Sequence, residues 1–263
     1  MDVTSGAVQL RVSERGAGHP VLFLHGLLAD STVFDPVAGL VCRDHGLRAI
    51  SMDLRGHGRS GKPAEGYGVE EHSHDVDAVL DACSVSEVTL VGWSMGAAVA
   101  LHYAATRPDR VRKIVLAGAT PSLLQQPGFA AATPPDAFTG MLGALLADYP
   151  ATVDQFVAAQ LPEPGSENAA RVLYDCAMRT TAAVAVAAAE AVGRHDLRAF
   201  ASRVNVPALV LHGGLDALVP PQAGQWLAEN LPKTERYVQW PDRGHCPFLT
   251  SPELVAAEIS AFV

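Results

Sequence analysis

No run of three lysines or arginines occurs anywhere in this chain, and its 28 acidic residues outnumber 19 basic ones to give a formal net charge of -9. An acidic surface without a basic patch repels phosphate backbones and anionic lipid, which argues against nucleic acid and membrane-surface partners. No uninterrupted apolar segment is long enough to span a bilayer. The opening Met1-Asp2-Val3-Thr4-Ser5-Gly6 has neither the basic nor the apolar stretch of a signal peptide. Cysteine is sparse: Cys42, Cys83, Cys176 and Cys246 are scattered, with no C-x-x-C pair. Free thiols in a reducing cytoplasm are the expectation. Internal repeats and long low-complexity tracts are absent. The remaining partner class is a small, neutral or weakly charged molecule.

What is present is a rhythm. With 49% hydrophobic residues among 263, the chain can build one large domain with an inserted subdomain. Apolar, β-branched runs predict strands at 8–12, 21–24, 49–52, 88–91, 114–117, 208–212 and 236–238. Helical spacing predicts helices at 33–43, 69–82, 95–106, 222–230 and 252–262. Such alternation builds an α/β fold, a mostly parallel sheet flanked by helices. The first two strands are close enough in sequence to pair as a hairpin. From 121 to 203 no convincing strand appears. The early part is rich in Pro, Gly and Gln, and 167–193 is alanine-rich. We read 121–203 as a helical cap inserted between core strands, with 1–120 and 204–263 forming the core.

One turn within this pattern carries chemistry. Gly92-Trp93-Ser94-Met95-Gly96 joins a strand-like run to a helix-like one, the setting in which G-x-S-x-G marks a nucleophile. The glycines permit a strained turn and a close helix–strand crossing. A serine hydroxyl then needs a base, a group to orient that base, and donors for an oxyanion. In an α/β sheet these come from loops after the strands. Asp216 follows the strand at 208–212, and His245 follows the last strand. The order Ser, Asp, His suits the arrangement. The turn His25-Gly26-Leu27 can aim the Leu27 N–H at the same point, with the Met95 N–H as second donor.

The stretches "LVGWSMG", "DLRGHGRS", "HGGLDALVP" and "GHCPFLTSPE" resemble the α/β-hydrolase superfamily, over nearly the whole chain. Within it, the chain is most similar to the carboxylesterase branch containing the pimeloyl-acyl-carrier-protein methyl esterases. The resemblance implies an eight-stranded, mostly parallel sheet. It implies Ser94 as nucleophile, His245 as base, Asp216 as its orienting acid, and the Leu27 and Met95 main chains as oxyanion donors. Trp93 and Phe248 would line or buttress the substrate pocket. No cofactor or metal is implied. The implied activity is hydrolysis of a small carboxylic ester. A perhydrolase of the non-haem haloperoxidase type would use the same residues, and a slow-cleaving small-molecule receptor would retain them. A dehalogenase would want aspartate in place of Ser94.

Other residues have plainer readings. His25 supports its turn, His212 ends a strand, and the loop holding His57 is structural. His72, His74 and Asp75 are expected on a solvated helix face rather than around a metal. Cys246 is a small packing residue. Residues 56–63, GHGRSGKP, follow the phosphate-loop pattern until Pro63 replaces the required hydroxyl. An acyl-carrier-protein partner is disfavoured, because 122–167 contains no lysine or arginine to meet an acidic carrier.

Overall fold

The computed structural model describes residues 1–263. Eight strands form one sheet: β1 (Asp2–Ser5), β2 (Val8–Gly16), β3 (Pro20–Leu24), β4 (Arg48–Met52), β5 (Val88–Trp93), β6 (Val111–Ala117), β7 (Ala208–Gly213) and β8 (Thr234–Trp240). Their order is β1-β2-β4-β3-β5-β6-β7-β8. Only the β1–β2 and β2–β4 pairs are antiparallel. All pairs from β4 to β8 are parallel.

The expected hairpin does not form. β2 pairs with β1 and β4, and β3 lies between β4 and β5. Burial explains this. The apolar run of β4 is buried on both faces, whereas β2 alternates buried and exposed positions. A strand apolar on both faces belongs inside a parallel sheet, and an alternating one belongs toward its edge. β1 is a short strand that the sequence pattern passed over. It is legible only through its pairing with β2.

The central strands send alternate side chains into two cores. Leu22, Leu24, Leu90 and Val210 enter one, with α2 (Val69–Ala82) and α3 (Met95–Thr106). Val21, Phe23, Val91 and Leu209 enter the other, with α1 (Asp35–His45) and the last helix (Pro252–Phe262). Between β6 and β7 lie α4 (Pro135–Ala147), α5 (Tyr149–Gln160), α6 (Glu167–Ala177), α7 (Ala182–Gly193) and the short α8 (Arg198–Ala201). The only pairings of β type there are single bridges at Ser122–Asp196, Leu124–Thr133 and Gln126–Phe129. Helix starts follow local chemistry: Asp148 caps α5 through the Ala151 N–H, and Thr181 caps α7 through the Val184 N–H. After β7 come α9 (Pro221–Asn230), α10 (Pro247–Thr250) and α11 (Pro252–Phe262).

The crossing of α3 over the sheet leaves no room for side chains. A Cβ on Gly96 would run into the Leu24 carbonyl, and one on Gly92 would lie 2.6 Å from the Ala97 Cα. These neighbours are backbone and cannot rotate away. Gly140, in α4, has nothing within 4 Å of a built Cβ. Gly96→Ala should therefore destabilise the fold by about 3 kcal/mol. Gly140→Ala should stabilise it by about 0.5 to 1 kcal/mol, because an open helical glycine gains from a Cβ. Guanidinium unfolding of the two variants checks this, and similar midpoints would refute the packing argument.

Candidate active site

Ser94 closes β5 and opens α3. Its backbone is held at φ 53°, ψ -116°, a left-handed region that L side chains rarely adopt. The turn is pinned at both ends. The Ser94 N–H donates to the Ala117 carbonyl at 3.0 Å, and the Ser94 carbonyl accepts from the Ala97 N–H at 2.9 Å. Gly26 packs against this turn so closely that a Cβ there would lie 2.9 Å from the Trp93 ring and 3.2 Å from the Ser94 Cβ. The half-buried Leu27 follows directly. No main-chain carbonyl accepts from the Leu27 N–H, and the Met95 N–H, at the first position of α3, has no carbonyl of that helix before it to bond.

Asp216 and His245 meet on the loops after β7 and β8. His245 Nδ1 donates to Asp216 Oδ2 at 2.6 Å. Asp216 Oδ1 accepts from the Leu218 and Val219 N–H groups at 3.0 and 2.9 Å. Burial alone would raise the Asp216 carboxyl. The facing His245 and hydrogen bonds from His212 and His245 overcome this and hold it well below the usual carboxylate range. Because Nδ1 carries the proton shared with the carboxylate, Nε2 is the ring atom left to act as a base. Gly118, at φ 52°, makes room for this ring; a Cβ there would lie 2.9 Å from His245 Cε1.

Ser94, Met95, Leu27 and His245 all line one cavity of about 360 Å³. Its other walls are largely apolar: Phe138, Met141, Phe156 and Val192 come from the segment between β6 and β7, and Leu218 and Val219 from the loop after β7. No Asp, Glu, Lys or Arg lines it. A hydroxyl, an imidazole backed by a carboxylate and two unclaimed N–H groups at one apolar cavity are the parts acyl transfer requires.

A sequence profile described as the alpha/beta hydrolase fold matches residues 19–252. The chain belongs to that family. It is 32% identical over 257 residues to a pimeloyl-acyl-carrier-protein methyl ester esterase from Neisseria meningitidis serogroup A, an alignment that covers 97% of this chain and 80% of that protein. Among solved structures it is similar to an esterase from Exiguobacterium antarcticum, with TM-score 0.95, 25% identity, and 99% and 98% of the two chains covered. A bromoperoxidase from Bacillus anthracis superposes with TM-score 0.93 over 100% of this chain and 98% of that one. At 24% identity, that likeness shows the fold alone. The esterase relatives support a hydrolase.

Within this alpha/beta hydrolase, several sequence expectations change. Trp93 and Phe248 are not among the cavity-lining side chains. Both are buried, with ring centroids 4.6 Å apart in an edge arrangement. The Trp93 indole N–H donates to the His245 carbonyl at 3.0 Å. Trp93 packs against the His245 ring at 5.4 Å between centroids, with Phe248 behind it, so the pair buttresses His245 rather than lining the cavity. His212 does more than end a strand. Its Nε2 donates to the Val219 carbonyl and lies 3.3 Å from Asp216 Oδ2, which its i,i+4 spacing from Asp216 could have suggested. Gln160 and Glu163 gave no sequence signal, yet both bond to the loop of His245. Phe138, Met141 and Phe156 likewise gained meaning only once their helices were placed.

His25 lies outside the cavity. Its Nε2 accepts from the Leu54 N–H at 2.9 Å, so Nδ1 carries the proton and donates to the Gly26 carbonyl at 2.8 Å. His72 and Asp75 are not solvated as expected: both are buried, and only His74 is exposed. Asp75 takes two 2.7 Å bonds from the Arg55 guanidinium. That ion pair draws this helix face inward. His25 and His57 stack edge to face at 5.2 Å. Neither ring nitrogen of His72 has a partner in the protein.

Burial lowers the pKa of all three histidines, that of His57 to about 3 and that of His72 well below its ordinary value. The unfolded chain then takes up protons below about pH 6.5 that the folded chain refuses. Stability is therefore complete above that pH and falls as pH drops. His57, held at about 3, should remove about 1.6 kcal/mol between pH 6.5 and 5, and His25 and His72 add to the loss in the same direction. His72→Leu should cost little at pH 7.5, since no hydrogen bond is lost, and should flatten the acid slope by about 1.4 kcal/mol per pH unit. Urea unfolding from pH 7.5 to 5 measures this. An unchanged slope would refute it.

Proposed function

We propose that this alpha/beta hydrolase is a serine carboxylesterase cleaving small esters with an apolar acyl group. The observation that carries the reading is the strained Ser94 turn facing the same apolar cavity as the carboxylate-backed His245. Ser94 Oγ attacks the acyl carbon while His245 Nε2 takes its proton. Asp216 holds the ring and stabilises the imidazolium. The oxyanion lies at the Leu27 and Met95 N–H groups. The C–O bond to the alcohol then breaks as His245 protonates the leaving oxygen. Water, deprotonated by the same nitrogen, attacks the acyl-enzyme and releases the carboxylic acid and free Ser94. Residues 121–203 act as a cap that shapes the acyl site. The four free thiols support a cytoplasmic setting.

Ser94→Ala should fold normally and lose several orders of magnitude in kcat, leaving what the oxyanion donors and binding alone supply. Among p-nitrophenyl esters, kcat/KM should rise about fourfold per added methylene, matching about 0.8 kcal/mol of burial each, until the cavity is filled. An active Ser94→Ala protein would overturn the nucleophile. A flat or falling series from the shortest ester would overturn the apolar acyl site.

The relative from Neisseria is named for a carrier-linked substrate, but the cap offers an acidic carrier little. Arg179, Arg194 and Arg198 are already paired with Asp30, Glu190 and Asp196, and Arg203 stacks on Phe200. Free esters are the expected substrates. The same acyl methyl ester, free and carrier-linked, should give similar kcat/KM with little dependence on salt. A carrier preference that collapses as ionic strength rises would restore the carrier as partner.

A further inference from the structure

We propose that Glu163 is a positioning residue for His245, holding the loop of the base in register from the helical segment above it. The proposal rests on the reading of His245 as general base. Glu163 lies between α5 and α6 and is buried. It forms no ion pair with a lysine or arginine. A carboxylate removed from water without a cation requires strong hydrogen bonds. Those of Glu163 go to the residue before His245 and to the end of α10, the short helix that follows its loop. Oε2 accepts from the Gly244 N–H at 3.1 Å, and Oε1 accepts from the Thr250 hydroxyl at 2.8 Å.

The neighbouring bonds share that direction. The His245 N–H donates to the Gln160 carbonyl at 2.9 Å, and the Cys246 thiol to Gln160 Oε1 at 3.4 Å. Three consecutive residues of the loop, 244 to 246, are thus held by the stretch 160–163. The contact has no slack. A Cβ on Gly244 would lie 2.5 Å from the Gln160 carbonyl oxygen and 2.7 Å from Glu163 Oε2. Ser166 Oγ donates to the Glu163 carbonyl at 2.8 Å and fixes the turn. The Asp216 bond controls the tilt of the imidazole, and the Glu163 bond controls where its backbone stands. Phe156, one helical turn before Gln160, lines the cavity, so the helix that meets the acyl group also carries the stretch that holds the base.

The test compares Glu163→Ala, Glu163→Gln and Thr250→Val with the wild-type protein on its best ester, each corrected for folded fraction by circular dichroism. Glu163→Ala should lose about a hundredfold in kcat, the cost of misplacing a reacting group by about 1 Å, with KM nearly unchanged. Glu163→Gln should recover most of that loss. Its amide oxygen can accept from Gly244, and its amide N–H can donate to the Thr250 hydroxyl. Thr250→Val, which removes one of the two bonds, should show a smaller kcat loss, and it decides the matter if Glu163→Ala does not fold. Wild-type kcat in Glu163→Ala or Thr250→Val would overturn the proposal. So would a loss confined to KM, or a Glu163→Gln variant as poor as alanine. A wild-type protein that neither cleaves esters nor is labelled at Ser94 by a serine-directed phosphonate would instead defeat the esterase reading itself.

Discussion

At Ser94 the chain leaves a buried central strand and must enter a helix that lies almost in contact with the sheet. The glycines on either side set that distance: with Gly92 and Gly96 bare, the α3 backbone reaches the Leu24 carbonyl. The strained φ of Ser94 is the local cost of so abrupt a turn, borne by the two large cores that clamp it from both faces of the sheet. The geometry of the site follows from this crossing. It lifts the serine above the strand ends and points the α3 N-terminus toward the cavity. It also brings the turn at Gly26 against the Ser94 side chain. Loosening the crossing would move the Ser94 hydroxyl and the Leu27 and Met95 N–H groups together.

The second constraint is electrostatic. Asp216 is buried, and burial alone would favour its neutral form. It remains a carboxylate because two main-chain N–H groups and two imidazoles converge on its oxygens. This saturation has a consequence for His245. A carboxylate with every oxygen engaged has little freedom to swing, so it fixes the orientation of His245 as well as its tautomer. Behind the ring, Trp93 and Phe248 supply shape without charge. The turn at Gly26 is supported in the opposite manner, by the buried neutral His25 and His57, which makes that side sensitive to acid.

The sequence was most informative where chemistry and local backbone coincide. The turn at Gly92-Trp93-Ser94-Met95-Gly96 could be read because an abrupt strand-to-helix crossing needs glycine on both sides of it. The parallel core was legible because its strands are apolar on both faces. Strand order was less so. Adjacency in sequence suggested a β2–β3 hairpin, while burial on both faces placed β4 between them. The polarity of His72 and Asp75 suggests exposure, yet both are buried, because the partner that buries Asp75, Arg55, lies 20 residues away. Glu163 was invisible for the same reason, since its bonds cross more than 80 residues of chain. Local pattern reports what a residue can do, and long-range pairing decides whether it does it.

The helical segment between β6 and β7 is bound to the loops that build the site, not merely laid over them. Arg179 pairs with the buried Asp30, just beyond the turn at Gly26. The Thr180 hydroxyl donates to the Gly56 carbonyl at 2.8 Å, in the loop that encloses His57. Gln160 and Glu163 hold residues 244 to 246. Each tie is polar and has a buried partner, which losing the other would leave unsatisfied. The same segment supplies the apolar wall of the cavity. A change of side chain that reshapes that wall can therefore shift the ties as well. The shape of that wall and the placement of His245 are thus mechanically linked, so a change in this segment that widens the cavity must preserve its contacts with Asp30, Gly56 and Gly244 to leave the arrangement of the site intact.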